Sequence, residues 1–293
     1  TTRTNVQLET GDSGSPVFIG WTNPNGGKEL TILGNNAAID ASNNYMNYLA
    51  NSVVINQLNS MMTPDGYALR VVGNPSATWQ GSVANSNLSR ASNWSGNSIP
   101  TDSYTLFDAS STTHRAINVN ASTNLRGIYF KATATTGDGF SFSGASSLTI
   151  GRGGLTNYDN VVQTFSSTIV LGDHQYWDVG SSGVTVASLN TNGKLLEISG
   201  VGTTTISGQI SGSGGIALSG NLLQLTGNST YSGQTWAHTG KLQVDGNISS
   251  SSGVILDAGA ALSGHGIVGT ISGSGSVDPG NSPGILTALS LST

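Results

Sequence analysis

From about residue 146 onward the chain repeats one texture, in which a short apolar run is followed by Gly, Ser or Asn and then by another run. Leu148-Thr149-Ile150, Ile169-Val170-Leu171, Val184-Thr185-Val186, Leu195-Leu196, Ile206 to Ile210, Leu222 to Leu225, Leu242 to Val244, Val254 to Leu256 and Ile267 to Ile271 succeed one another at intervals of roughly 10 to 20 residues. No helix-period stretch interrupts them. Short strands at regular spacing admit a sandwich, a barrel or a stacked solenoid. The unvarying texture favours the solenoid, because each coil buries its apolar face only by stacking on the next. Asn-rich corners suit such a stack, since amides hydrogen-bond along its axis and Asn tolerates left-handed backbone.

Charge is scarce. The 293 residues include 10 Lys and Arg against 15 Asp and Glu, a net charge of −5. Charged residues are 9% of the chain, where a globular protein carries about 25%. Nucleic acid is excluded as a partner, because its binders need clustered cations. With no Cys there is neither a disulfide nor a thiolate metal site. No apolar run approaches the ~18 residues of a membrane-spanning helix. Gly264, Gly266 and Gly269 have dinucleotide-binding spacing, but no helix pattern follows them, so no cofactor is expected. Asp173, His174 and Asp178 would alternate faces on a strand, and no metal site is expected there. Tyr176, Trp177 and Trp236 would stack on sugars if exposed and on neighbouring rungs if not. The chain lacks an initiator Met and a leader, so Thr1 reads as the start of a processed or excised piece.

Residues 1–73 have a different character. Phe18 and Ile19 lie in one strand-like run and Leu30, Ile32 and Leu33 in another, joined by Asn23-Pro24-Asn25-Gly26-Gly27, which predicts a hairpin. Val54, Leu58, Met61 and Met62 recur at helical spacing behind Asn51 and Ser52, with Pro64 closing the helix. Ahead of the hairpin stands Gly11-Asp12-Ser13-Gly14-Ser15-Pro16. Acyl transfer requires a serine exposed on a tight turn, with backbone N–H groups converging on the developing oxyanion, and glycines on both sides permit that turn.

This stretch resembles the nucleophile loop of chymotrypsin-like serine proteases, and its Ser-Pro ending is most similar to the IgA-protease type of bacterial autotransporters. With the hairpin and helix, the likeness covers residues 1–73, the C-terminal portion of such a domain. It implies Ser13 as nucleophile, the N–H groups of Gly11 and Ser13 as oxyanion donors, Asp12 as loop support, and Gln7 at the base of the primary specificity pocket. The family places its catalytic His and Asp well before the serine, yet His114, His174, His238 and His265 all follow it. Without a base the Ser13 hydroxyl is a weak nucleophile. An N-terminal fragment of the same precursor is then the expected partner.

Residues 225–246, with Leu225-Thr226-Gly227-Asn228-Ser229-Thr230-Tyr231-Ser232-Gly233 and Gly240-Lys241-Leu242-Gln243-Val244, resemble the autotransporter-associated β-strand repeat of bacterial surface proteins. Gly264-His265-Gly266 and Asp278-Pro279-Gly280-Asn281-Ser282-Pro283-Gly284 are similar to the end of such an array. Trp79 to Phe107, with Asn93-Trp94-Ser95-Gly96 and Pro100, looks like the module that introduces one. The expected fold is all-β: a right-handed parallel β-helix preceded by a partial trypsin-like β-barrel lobe with one terminal helix. Residues 74–145 would be a Trp-containing β module and residues 146–293 the repeat solenoid. The resemblance implies an exported, extracellular or cell-surface bacterial protein, serving as stalk, adhesin or filament subunit and able to associate end to end. A serine endopeptidase completed by the missing fragment and a carbohydrate-binding module are the alternatives.

Overall fold

The computed structural model describes residues 16–22, 28–39, 44–48, 60, 63–66, 75–81, 85–108, 114–131, 138–280 and 284–292. The chain divides into two compact units, Thr1–Met61 and Met62–Thr293.

In the first unit, strands Pro16–Thr22, Lys28–Ile39 and Asn44–Tyr48 form an antiparallel sheet in that order. Phe18 faces Ile32 across the first pair, which is the hairpin expected from the sequence. The third strand, in which Tyr48 pairs with Gly34, was not foreseen. Of the predicted helix, Val54, Leu58, Met61 and Met62 lie outside the described residues, while Ser60 is helical.

The second unit is a parallel β-solenoid of about nine coils with almost no helix among its described residues. One side is a nine-stranded sheet and the rest of the wall is a fifteen-stranded one. Val184 pairs with Thr204, Thr204 with Leu223, Leu223 with Leu242 and Leu242 with Leu262, so one coil takes about 20 residues. Within a strand such as Val184–Val186 the outer residues are buried and the central one half-buried, the period-2 pattern of a sheet with one apolar face.

Stacking in register turns this alternation into interior columns. One column runs Ile117, Phe142, Phe165, Val186, Ile206, Leu225, Val244, each paired with the next. The core is therefore densely aromatic at its N-terminal end, where Phe107, Phe130, Phe140, Phe142 and Phe165 are all buried, and mainly aliphatic beyond, with Trp177 and Tyr231 as buried exceptions. Among the described residues, backbone groups pair largely from coil to coil, which leaves few open sheet edges along the wall.

The stretch from Ile206 to Ile210, read as one run, is two strands on different sheets. Thr203–Ile206 belongs to the nine-stranded sheet and Ile210–Ser211 to the other. Gly208 makes the corner between them, where an added Cβ would lie 2.0 Å from the Ala187 carbonyl oxygen of the coil below.

The segment carrying Asn93-Trp94-Ser95-Gly96 folds as two 3-10 turns, Ala91–Asn93 and Ser95–Asn97. Trp94 and Trp79 form an antiparallel bridge, with rings 5.2 Å apart and nearly perpendicular. Both indoles are buried and both donate, Trp94 Nε1 to the Leu88 carbonyl at 2.8 Å and Trp79 Nε1 to the His114 carbonyl at 3.0 Å. At the other end, strand Thr287–Leu291 pairs with Ile267–Gly273 and leaves Leu289 and Leu291 exposed.

The axial amide contacts expected at the corners are present, and a further series runs along an outer face. Asn118 Nδ2 donates to Asn87 Oδ1 at 2.8 Å. On the nine-stranded sheet, Thr205 Oγ1 donates to Gln224 Oε1, Gln224 Nε2 to Gln243 Oε1 and Gln243 Nε2 to Asp245 Oδ2, over three successive coils.

Candidate functional site

Ser13, Gly11, Asp12 and Gln7 lie outside the described residues, which begin at Pro16 with the first strand. Within the solenoid, polar chemistry gathers on the outer face of the longer sheet, around strand Thr235–Ala237. There Trp236 points outward, where it packs on Leu195 and Ala217 in a small apolar cluster separate from the main core. His238, just past the strand, is 5% exposed in its side chain.

Asp257, one coil further on, holds both. Its Oδ2 lies 2.8 Å from His238 Nδ1, and its Oδ1 accepts from Trp236 Nε1 at 2.9 Å. Burial alone would push this carboxyl up, but the hydrogen bonds from His238 and Trp236 and the nearby imidazole outweigh it, and the group sits below its ordinary value. The rings of Trp236 and His238 lie 5.0 Å apart at 31°. The turn Thr63–Asp65 and Gly66, 172 residues away in sequence from His238, lie against this pair, with the Gly66 carbonyl oxygen 3.2 Å from His238 Nε2. Gly66 has φ +78°, and a Cβ there would come within 2.8 Å of the Trp236 ring, so both conformation and space demand glycine.

Beside this contact is a cleft of about 250 Å³, lined by Thr63, Gly66, His174, Leu195, Ile216 and Gln234 among others. His174 Nδ1 accepts the Leu195 N–H at 3.0 Å, which puts the ring proton on Nε2. Burial, reinforced by Lys194 and only partly opposed by Asp173, pushes this imidazole below its ordinary value. His174 is thus a neutral donor. A general base needs an unengaged lone pair at the reacting atom. Nδ1 of His174 is spent on the backbone, and both nitrogens of His238 face oxygen acceptors.

Asp173 Oδ1 accepts from the His174 N–H, and Asp178 accepts from the Tyr158 hydroxyl. Trp177 is fully buried in the core, its Nε1 donating to Gln175. Trp236 is half-buried, with His238 and Gly66 against its ring and its N–H on Asp257, and it also lines the cleft.

The carboxylate partners carry a signal that sequence reasoning missed. His238 and Asp257, His265 and Asp245, and Tyr158 and Asp178 are 19 or 20 residues apart, one coil, so each pair is stacked.

Two stretches of known proteins are similar to this chain. One is the Extracellular serine protease of Serratia marcescens, 44% identical over 86 residues, 28% of this chain and 8% of that protein. The other is the Adhesin BmaC autotransporter of Brucella suis biovar 1 (strain 1330), 36% identical over 84 residues, 27% of this chain and 2% of the adhesin. With the solenoid, these likenesses fit an autotransporter-like protein. The chain matches no family model and no solved structure. The matched stretches are a small fraction of either relative, and both relatives are named for extracellular or autotransporter roles, which suggests an exported protein.

Proposed function

We propose that the chain serves as a rigid stalk on the bacterial surface, presenting whatever precedes it in the precursor. The observation that carries this reading is the unbroken register from Ile117 to Val244, which makes every coil a load-bearing neighbour of the next. An outer wall sparse in charge and rich in Thr, Gln, Ser and Asn suits such a surface. An adhesive role is the natural extension, given the name of the Brucella relative. Protease shaving of intact cells of the source bacterium, followed by detection of solenoid peptides, tests the reading. Release of these peptides without cell lysis is expected, and their retention until lysis would overturn it.

A second reading is supported by the name of the Serratia relative and by the antiparallel strands that begin at Pro16. Here residues 1–73 are the nucleophile-bearing portion of a trypsin-like domain, with Ser13 attacking, Gly11 and Ser13 donating to the oxyanion, Asp12 bracing the loop and Gln7 in the specificity pocket. The missing His and Asp come from an N-terminal fragment of the same precursor. A fluorophosphonate probe should then label Ser13 in the precursor and not in Ser13→Ala. Absence of labelling in the precursor would leave the structural role alone.

A further inference from the structure

We propose that the cleft beside Leu195 is a sugar-binding site that takes one neutral pyranose ring, free or at the end of a glycan. This goes beyond the stalk reading and does not depend on it. Pairing of successive coils puts Gln175, Leu196, Ile216 and Thr235 in register, so the residues just before them, His174, Leu195, Gly215 and Gln234, form one column over four coils. All four line the cleft. Gly215 leaves a gap in the column, and it must be glycine, because an added Cβ would lie 2.7 Å from the Gln234 carbonyl oxygen. Leu195 and Trp236, which pack together outside the main core, supply the apolar wall.

The polar groups around this wall are neutral. His174 Nδ1 reaches the Leu195 N–H, which brings the ring up to the level of Leu195 and leaves its Nε2 proton unused among the described residues. The Gln234 amide and the Ser213 hydroxyl line the same cleft and likewise make no hydrogen bond among the described residues. Leu195 and Gln234 are two strand spacings apart, about 10 Å, which fits one six-membered ring with a hydrogen bond at either end. A pyranose has an apolar ring face bordered by hydroxyls, the complement of an indole and leucine wall rimmed by neutral donors and acceptors. None of the described lining residues is an Asp, Glu, Lys or Arg, so an ionic ligand would lose its hydration there without gaining a counter-charge. The volume of about 250 Å³ is below that of a site for drug-sized ligands and limits the occupant to one ring.

Saturation-transfer NMR on the full chain tests this with glucose, galactose, mannose and N-acetylglucosamine, each free and as its methyl glycoside, and with glucuronate as the charged counterpart. At least one neutral sugar should bind, in the millimolar range expected of so few contacting atoms. Binding kept by the methyl glycoside marks a glycan end as the source, and binding by the free sugar alone marks a soluble one; each supports the site. Gln234→Ala should weaken binding about fivefold, the scale of one neutral hydrogen bond. Trp236→Ala should abolish it. Should Trp236→Ala not fold, Ser213→Phe, at an exposed position, should fill the cleft and abolish binding without disturbing the core. No transfer to any neutral sugar, tighter binding of glucuronate than of all of them, or binding undiminished in Ser213→Phe would overturn the proposal.

Discussion

The rings of Phe142 and Phe165 lie 4.6 Å apart and only 12° from parallel, one coil above the other. That is close to the spacing of about 4.8 Å between paired strands, so the backbone ladder itself sets the ring separation. Both side chains are fully buried, and Phe130 meets each of them edge-on.

Phe165→Ala should therefore cost about 3–5 kcal/mol, combining lost transfer energy with a cavity that the rigid coils on either side cannot collapse. The drop should appear as a lower urea midpoint for the unfolding of the solenoid. A loss below about 1 kcal/mol would mean that the column relaxes freely.

Thr204 sits in the interior between Val184 and Leu223, fully buried, and its Oγ1 has no hydrogen-bond partner among the described residues. Replacing it with the near-isosteric Val removes an unsatisfied hydroxyl from an apolar column. Thr204→Val should stabilise by about 1 kcal/mol, read as a raised denaturation midpoint.

Two glycines separate backbone conformation from space. Gly200 has φ +98° and an added Cβ would lie 2.0 Å from the Val179 carbonyl oxygen, whereas Gly259 has φ +93° and nothing within 4 Å. Gly259→Ala should cost about 1 kcal/mol from strain alone. Gly200→Ala should cost clearly more, because the coil beneath must also move. Equal losses in thermal or urea unfolding would show that the close approach is not limiting.

His174 predicts acid sensitivity. Its folded value is depressed, so below about pH 6.5 the unfolded ring takes up a proton that the folded ring resists. Stability from this residue is present above that pH and declines as pH falls through the folded value. His174→Asn keeps an acceptor for the Leu195 N–H without a titrating group. The fall in denaturation midpoint between pH 7.5 and pH 5 should be smaller in the variant than in the native chain.

How much of this was legible in the sequence depended on where polarity lay. Runs such as Val184–Val186 and Val254–Leu256 announce themselves, because apolar residues flank one outward position. Gln163–Phe165, Gln175–Val179 and Thr235–Ala237 do not, since buried polar side chains interrupt them. Gln175 is fully buried yet satisfied, donating to the Ile150 carbonyl and accepting from Trp177, and the Ile150 bond spans 25 residues. No local pattern reports such a partner. The hairpin pairing Phe18 with Ile32 was readable from its turn, and the stacked amides from the Asn-rich corners. The contact between His238 and Gly66 joins segments 172 residues apart and follows only from three-dimensional placement.

The register linking Val184, Thr204 and Leu223 makes the solenoid a ruler. Inserting or deleting one period of about 20 residues changes its reach by a single strand spacing, about 4.8 Å, and returns every later side chain to the face it occupied before. A change of one or two residues must be absorbed at a corner or it shifts everything beyond. Length can thus be edited in whole coils while the two ends keep their own chemistry.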